Sequence, residues 1–391
     1  MLAINSPESC FPVRPRGAGW TTLDSRGRRA INQRMAKVVA PELLPAAMQA
    51  ALGAGQQHFI SQTLYAVIKL KVPDVIRDES LTAQKIALRI QPEPNVQLLQ
   101  RSLRLLAAAT PFFTEIKDPQ TESPSFALTN AGALLQTNVQ GQPSIACGML
   151  HWLEKPMWSA WSSLPDCMAS PDSATPFETA NGNMIFDYYA EHPESAEPFN
   201  EFMTFFSQGE IPIVLDMYDW DPYKGKKVLD VGGSYGPVMA ALKKKCPDIT
   251  VASFDLKEVI EKATPIPGVE LVSGDMFDSE TIPKVDGAIF MKHILHDWND
   301  ERSIEILKSV RQALLPGAKV VIADSILPSA GEDTPLKVPQ LMLDQLMSII
   351  GGRERTLEDW KRVSSLAGFS VESVLTTPSP ACQLLTLCPT P

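Results

Sequence analysis

Apolar positions follow two different rhythms along this chain. Between residues 46 and 109 they recur at helical spacing, in segments 46–52, 59–70, 82–90 and 95–109. The last of these puts Val96, Leu99, Leu103 and Leu106 on one face. Gly53 and Gly55 are expected to separate the first two helices, and Val72-Pro73-Asp74 to mark a break before Val75-Ile76. Residues 112–115 and 125–128 are short β-prone pieces on either side of a polar loop. Helices followed by a small hairpin give the pattern of a winged-helix-like module. Its last helix carries few basic residues, so pairing with a second copy of the chain fits it better than DNA binding.

From residue 227 the rhythm changes. Short continuous apolar runs, rich in β-branched residues, fall at 227–231, 250–254, 269–272, 287–291, 319–323, 370–375 and 384–387. Helical segments lie between them, notably 301–315 and 356–367. Alternation of this kind predicts an α/β, Rossmann-like doubly wound sheet covered on both faces. The link 376–382 is too short for a crossover helix, so the last two strands should be antiparallel.

Four regions result: an N-terminal extension (1–40), a helical winged-helix-like dimerisation domain (41–145), a helical linker (146–224) and a nucleoside-binding catalytic domain (225–391). The extension is rich in arginine and poor in acids, which reads either as an organelle transit peptide or as a disordered tail. The compartment is accordingly cytoplasmic, or chloroplast or mitochondrion if the extension is a presequence. The linker is dense in aromatics and methionine, including His151, Trp152, Trp158, Trp161 and Met184. Such residues serve either as core or as walls of an apolar acceptor pocket.

The net charge of −10 disfavours nucleic acid as a partner. No apolar run reaches the ~18 residues of a membrane span. The six cysteines are scattered without a CxxC pair, which reads as reduced thiols.

The chemistry starts at KVLDVGGSYG, residues 227–236. A buried strand runs into a glycine turn and then a helix, bringing bare backbone N–H groups to a ligand. About 20 residues on, a second strand ends at Asp255, where this type of fold holds ribose hydroxyls. The turn, with Gly232, Gly233 and Gly236, lacks the G-x-G-x-x-G spacing of a nicotinamide site. Asp230 precedes it and would repel a diphosphate but welcome a cation. S-adenosylmethionine fits such a site. Asp275 follows the third strand, with Met276 and Phe277 available to sandwich an adenine. Each acid alone is more often a solvated loop residue or a helix cap; three at consecutive strand ends form a pattern.

VLDVGGSYG, FDL, SGDMF, MKHILHDWND and GGRERT together resemble the plant caffeic acid and animal acetylserotonin O-methyltransferase family. The resemblance runs from about Pro41 to the C-terminus. It implies a class I methyltransferase fold, an N-terminal dimerisation domain giving a homodimer, and S-adenosylmethionine as donor without a metal. By position it implies donor contacts at Gly232, Asp255, Asp275, Met276 and Lys292, a general base at His296, and flanking acids at Asp324 and Glu354. Tyr189, Phe199, Met203, Phe206 and Met347 fall near the family's acceptor pocket. Ser234 departs from the family's usual third glycine.

Other readings stay open at this level. His296 also reads as a packed histidine at a strand-to-helix junction. His293-x-x-His296-Asp297 invites a metal, but the sequence shows no further ligand cluster, so none is assigned. Algal enzymes similar to this family methylate the sulfur of 4-methylthio-2-hydroxybutyrate on the route to dimethylsulfoniopropionate. A thioether needs no base, and an anionic acceptor would call for a cation such as Lys155 or Arg353. A catalytically silent, donor-binding dimer is the third reading.

Overall fold

The computed structural model describes residues 44–117, 123–137, 144–170 and 173–391; the expected N-terminal extension lies outside them. The chain divides into two units between Phe59 and Ile60, and of the first only residues 44–59 are described. Helix α1 (Leu44–Lys69) is continuous, so the break expected at Gly53 and Gly55 does not occur. Neither glycine has a positive φ, and an interior glycine costs a helix only about 1 kcal/mol. The chain turns instead at Lys71, whose φ is 54°, and Val72-Pro73-Asp74 opens a short helix, α2 (Val72–Ile76), rather than breaking one.

Helix α3 (Ala83–Ala87) is capped by the Thr82 hydroxyl, and α4 (Val96–Ala109) by the Asn95 side chain, which accepts from the Leu98 N–H at 3.0 Å. Strands β1 (Leu81–Thr82), β2 (Phe113–Ile116) and β3 (Ser125–Leu128) form an antiparallel sheet in the order β1-β3-β2. Ile76, Ile86, Leu103, Leu106 and Phe126 are fully buried between these elements.

The helical linker comprises α5 (Ala146–Leu153), α6 (Lys155–Ala169), α7 (Pro176–Asn181), α8 (Ile185–Glu191) and α9 (Pro193–Met217). No helix among the described residues is long and apolar enough to cross a membrane.

A seven-stranded sheet carries the C-terminal half. Strands β4 (Lys227–Val231), β5 (Thr250–Asp255), β6 (Val269–Ser273), β7 (Ala288–Lys292) and β8 (Lys319–Asp324) are parallel. A short parallel pair, β9 (Ile326–Leu327) and β10 (Arg355–Thr356), stands beside it. The last strands, β11 (Phe369–Leu375) and β12 (Gln383–Pro389), are antiparallel to each other, as their short link requires, and β12 runs antiparallel to β8. The order is β11-β12-β8-β7-β4-β5-β6.

Side chains alternate between two cores. Leu229, Val231, Ile289, Met291, Val320 and Ile322 pack under α12 (Asp300–Ala313) and α14 (Leu357–Leu366). Val228, Val251, Phe290 and Val321 face Val238, Met239 and Leu242 of α10 (Pro237–Lys245). Burial on both faces is why these strands read as continuous apolar runs. Between β5 and β6 lies the one-turn α11 (Lys257–Ile260), and α13 (Lys337–Ile350) follows β9. The chain leaves β4 toward β5 and β6, then returns to the other side of β4 at β7. That switch point opens a crevice at the carboxyl ends of the strands.

Candidate active site

The glycine turn sits at that switch point. Gly232 has φ 74°, and a Cβ there would lie 2.9 Å from Ile294 Cγ1. A Cβ on Gly233 would lie 2.7 Å from the Asp230 carboxyl carbon. Side chains at these positions would fill the turn from behind. Ser234 keeps the turn with φ 50°, a left-handed conformation that costs a non-glycine residue about 1–2 kcal/mol. Its N–H donates to Asp255 Oδ2 at 2.8 Å, and the Leu256 N–H donates to Oδ1 at 2.7 Å. Asp255 thus ties the turn to β5 through the Ser234 bond, accepts locally from Leu256, and retains lone pairs for a ligand. Asp230 lies beneath the turn rather than at its surface. It is 2% exposed, and burial pushes its carboxyl up to about 8 despite the opposing charge of Lys292.

On the far side of the crevice, Asp275 is exposed, and its Oδ1 accepts from the Phe277 N–H at 2.9 Å. Met276 and Phe277 are half-buried against the core. The Arg302 guanidinium stacks 3.7 Å from the Phe277 ring centroid, and Trp298 meets that ring edge-on at 5.0 Å.

His296 lies in a short turn after β7 and is 7% exposed. Its Nδ1 pairs with Glu354 Oε1 at 2.8 Å. Its Nε2 has Asp297 Oδ1 at 3.6 Å, beyond hydrogen-bond reach. Burial alone would lower its proton affinity, but Glu354, Asp297 and Asp324 outweigh it and push the imidazole up to about 10. Two interactions hold Glu354 in place. The Arg353 N–H donates to the His296 carbonyl at 2.8 Å, and the Glu354 N–H donates to Asp344 Oδ1 at 2.9 Å. Gly352 passes so close to the His296 carbonyl that no side chain fits there.

Arg355, fully buried, clamps the same turn. It donates to the carbonyls of Leu295 and Trp298, both at 2.8 Å, to Ser303 Oγ at 2.9 Å and to Asp300 Oδ1 at 3.0 Å. Asn299 caps α12 by accepting from the Arg302 N–H at 2.9 Å, which leaves Asp300 to Arg353, Arg355 and Arg362.

Asp324 does not orient His296 by a hydrogen bond. Its Oδ1 accepts from the His293 backbone N–H at 2.9 Å, and burial pushes its carboxyl up to about 7. The His293 ring lies face to face with His296, centroids 5.1 Å apart, and donates from Nε2 to Glu210 Oε2 at 2.7 Å. Burial, with the neighbouring Lys292 charge, pulls His293 down to about 4. Lys292 directs its ammonium at Ser207 Oγ (3.2 Å) and Glu210 Oε2 (3.3 Å). Burial favours the neutral form of Glu210, but His293 and Lys292 overcome it and hold the carboxyl down at about 2.

Of the expected pocket residues, Tyr189 and Phe199 stack at 5.2 Å, and Tyr189 Oη shares a 3.1 Å hydrogen bond with His151 Nδ1. Phe206 lies 5.7 Å from the His293 ring. Met203 is half-buried on α9, and Met347 is buried on α13, which packs against the His296 turn. Lys155 is exposed at the start of α6, and Arg353 turns to Asp300 and Asp359. Neither candidate cation pairs with His296 or its carboxylates.

Residues 161–370 match the family model of the O-methyltransferase domain, and residues 55–138 that of the O-methyltransferase dimerisation domain. The chain belongs to the O-methyltransferase family. It is 33% identical to tabersonine 16-O-methyltransferase of Catharanthus roseus, covering 79% of this chain and 88% of that one. Caffeic acid 3-O-methyltransferase of Medicago sativa is 34% identical over 70% of this chain and 74% of its own. The crystal structure of human N-acetylserotonin methyltransferase in complex with SAM shares the fold, with a TM-score of 0.75 at 17% identity, over 88% of this chain and 98% of that one.

As an O-methyltransferase of this family, the protein is an enzyme with S-adenosylmethionine as methyl donor. The class I fold and the dimerisation module are those the motifs implied. Around the crevice at the switch point the structure gathers Gly232, Gly233, Asp255, Asp275, Met276 and Phe277, the residues expected to contact the donor. It turns Lys292 toward α9 and buries Asp230. Two residues carry weight that the sequence reading gave them no part in. Arg355 sits in the quoted motif GGRERT, and a buried arginine donating to two carbonyls is a clamp only once its partners are seen. Glu210 offers no signal in sequence.

Proposed function

We propose that the protein transfers a methyl group from S-adenosylmethionine to a hydroxyl of a small aromatic acceptor, with His296 as general base. The observation that carries this reading is the His296–Glu354 pair. Its 2.8 Å hydrogen bond fixes Nδ1 on the carboxylate and leaves Nε2 as the atom that accepts the proton once the ring is neutral. Methyl transfer is an in-line displacement on the sulfonium methyl, so nucleophile and carbon must be held at near-attack distance. A phenol of pKa near ~10 is mostly protonated at neutral pH and gains nucleophilicity as a base removes its proton. The buried carboxylates around His296 strengthen it as a base and stabilise the imidazolium once formed. Before transfer, the donor's sulfonium charge in the adjoining crevice opposes the imidazolium that these carboxylates favour and draws the ring toward the neutral form that accepts a proton; that charge is lost as the methyl leaves.

Several relatives act on aromatic hydroxyls, as tabersonine 16-O-methyltransferase and caffeic acid 3-O-methyltransferase are named for, and the aromatic wall of Tyr189, Phe199 and Phe206 suits a flat acceptor. The dimerisation module supports a homodimer as the working form. Methylation of a thioether would leave the His296–Glu354 pair without a proton to move, so this pair favours oxygen.

The test is S-adenosylhomocysteine release with a panel of phenols and 4-methylthio-2-hydroxybutyrate. His296→Ala is expected to lower turnover of the phenol by about 10²–10⁴-fold with donor affinity retained. Turnover of the thioether alone, or a phenol rate within a few-fold of wild type in the variant, would sink the reading.

A further inference from the structure

Two histidines in this crevice share an arrangement that general-base chemistry needs only once. His296 bonds through Nδ1 to Glu354, and His293 bonds through Nε2 to Glu210. In each ring one nitrogen is anchored by a buried carboxylate, and the other carries no hydrogen bond. His293 Nδ1 and Asp324 Oδ2 are both buried without a partner. His293 Nδ1 and Asp324 Oδ1 lie 3.8 Å apart, and one donor atom from each of His293, His296 and Asp324 falls within 4.8 Å of the others.

A histidine whose outer nitrogen is held by a carboxylate is the usual form of a metal-ligating histidine, because the carboxylate fixes the tautomer and raises ligand basicity. Here two such pairs and a third carboxylate stand together, one donor atom of each within 4.8 Å of the others. The third ligand is the one the sequence did not supply, since Asp324 comes from the neighbouring strand. Bonds of ~2.0–2.2 Å to a tetrahedral ion place donors roughly 3.3–3.5 Å apart. Side-chain movements of about 1 Å close the remaining gap. Two imidazoles and one carboxylate suit a borderline cation such as Zn²⁺ rather than Mg²⁺ or Ca²⁺, which prefer oxygen.

We infer that His293, His296 and Asp324 form an inhibitory site for a zinc-type divalent ion. The ion is not a cofactor of methyl transfer. It occupies the His296 lone pair that would otherwise accept the acceptor's proton, so binding and turnover exclude each other. This blockade rests on His296 being the base; the site itself does not.

The experiment uses tag-free full-length protein. Zinc binding is measured by calorimetry and by metal retained after gel filtration. Co²⁺ is added separately and its visible ligand-field bands recorded. S-adenosylhomocysteine release from a phenol is followed as zinc rises and is then reversed by chelator. One zinc per chain, cobalt bands of an N/O site, and inhibition with the same midpoint as binding are expected. Glu210→Gln removes no metal ligand, only the carboxylate behind His293 and Lys292, and should weaken zinc by about tenfold. His293→Phe, which keeps a ring between Phe206 and His296, and Asp324→Asn, which keeps an acceptor for the His293 N–H, should weaken it further. Inhibition should shift in parallel with affinity in each variant.

Absence of stoichiometric zinc and of cobalt bands in the wild type overturns the site, whatever the variants do. So does zinc affinity unchanged in both His293→Phe and Asp324→Asn. Full turnover by the zinc-loaded enzyme overturns the blockade and the base assignment together while leaving the metal site standing, which separates the two failures.

Discussion

Arg355 Nη1 donates to the carbonyl of Leu295, the residue before His296, at 2.8 Å. The guanidinium is fully buried and spends its other donors on Trp298, Ser303 and Asp300. A planar fork can reach carbonyls three residues apart; an ammonium cannot. The turn that carries His296 is thus held from beneath by a residue with no exposed surface.

Arg355→Lys is therefore expected to be costly. It strips partners from two buried carbonyls and from Ser303, a loss of about 3 kcal/mol in stability. Chemical denaturation of wild type and variant measures it. In the folded fraction kcat should also fall, because the His296 turn loses its clamp. A variant with wild-type denaturation midpoint and kcat would show that the clamp is dispensable.

Glu354→Gln tests the electrostatics of the base. Glutamine preserves size but removes the charge that raises the proton affinity of His296. Turnover of a phenol is expected to drop by about 10²–10⁴-fold, the range seen when a buried carboxylate partner of a catalytic histidine is neutralised. Donor affinity by calorimetry should stay within a few-fold. A large loss of donor affinity instead would mean that Glu354 supports the crevice rather than the base.

Asp255→Ala addresses the donor turn. The substitution frees the N–H groups of Ser234 and Leu256, each bonded to a carboxylate oxygen. Charge-assisted hydrogen bonds contribute about 1.5–3 kcal/mol each, so S-adenosylmethionine affinity should weaken by tenfold or more. Unchanged calorimetric affinity would remove Asp255 from the donor site.

Glu154 sets a pH dependence of stability. It is buried at the start of α6 with Oε1 unpartnered. Burial pushes its carboxyl up to about 7, Ser195 and Lys69 oppose this, and Glu194 adds to it. Because the folded value lies above the unfolded one, its stabilising effect is full below about pH 4.5 and is lost as pH rises through 7. Glu154→Gln stays neutral at every pH. It should exceed wild type in stability by about 1–3 kcal/mol at pH 8 and match it near pH 4.5. Thermal unfolding at the two pH values decides, and equal midpoints at pH 8 would refute the expectation.

The sheet was legible in the sequence because burial on both faces leaves no polar alternation: Val228, Leu229 and Val231 are all fully buried. The division of α1 was misread because a glycine lowers helix stability without ending a helix, whereas the left-handed turn at Lys71 carries no sequence signal. The strand-end positions of Asp255 and Asp275 followed from strand order. Their partners did not. Asp324 was read as an acid flanking His296; it lies close enough to raise that ring's proton affinity, but its hydrogen bond goes to the His293 backbone, a choice set by how β7 and β8 align. Glu210 looks in sequence like any acid on a helix. Its burial against Lys292, His293 and Ser379 depends on segments 82 or more residues away, beyond the reach of local pattern.

Apart from Glu210, the parts that fix the His296 turn all come from the sheet domain: Arg355, Asp300, Glu354 and the Gly352 close approach. The walls formed by α5 to α9 are built from separate helices. With His296 as the base proposed above and the acceptor against those helices, new acceptor shapes can accumulate in the walls by mutation while the proton-handling parts stay constant, so that one chemistry is inherited and selectivity diverges. Glu210 is the exception, a wall residue anchored in the chemistry, and it is where such drift should stall.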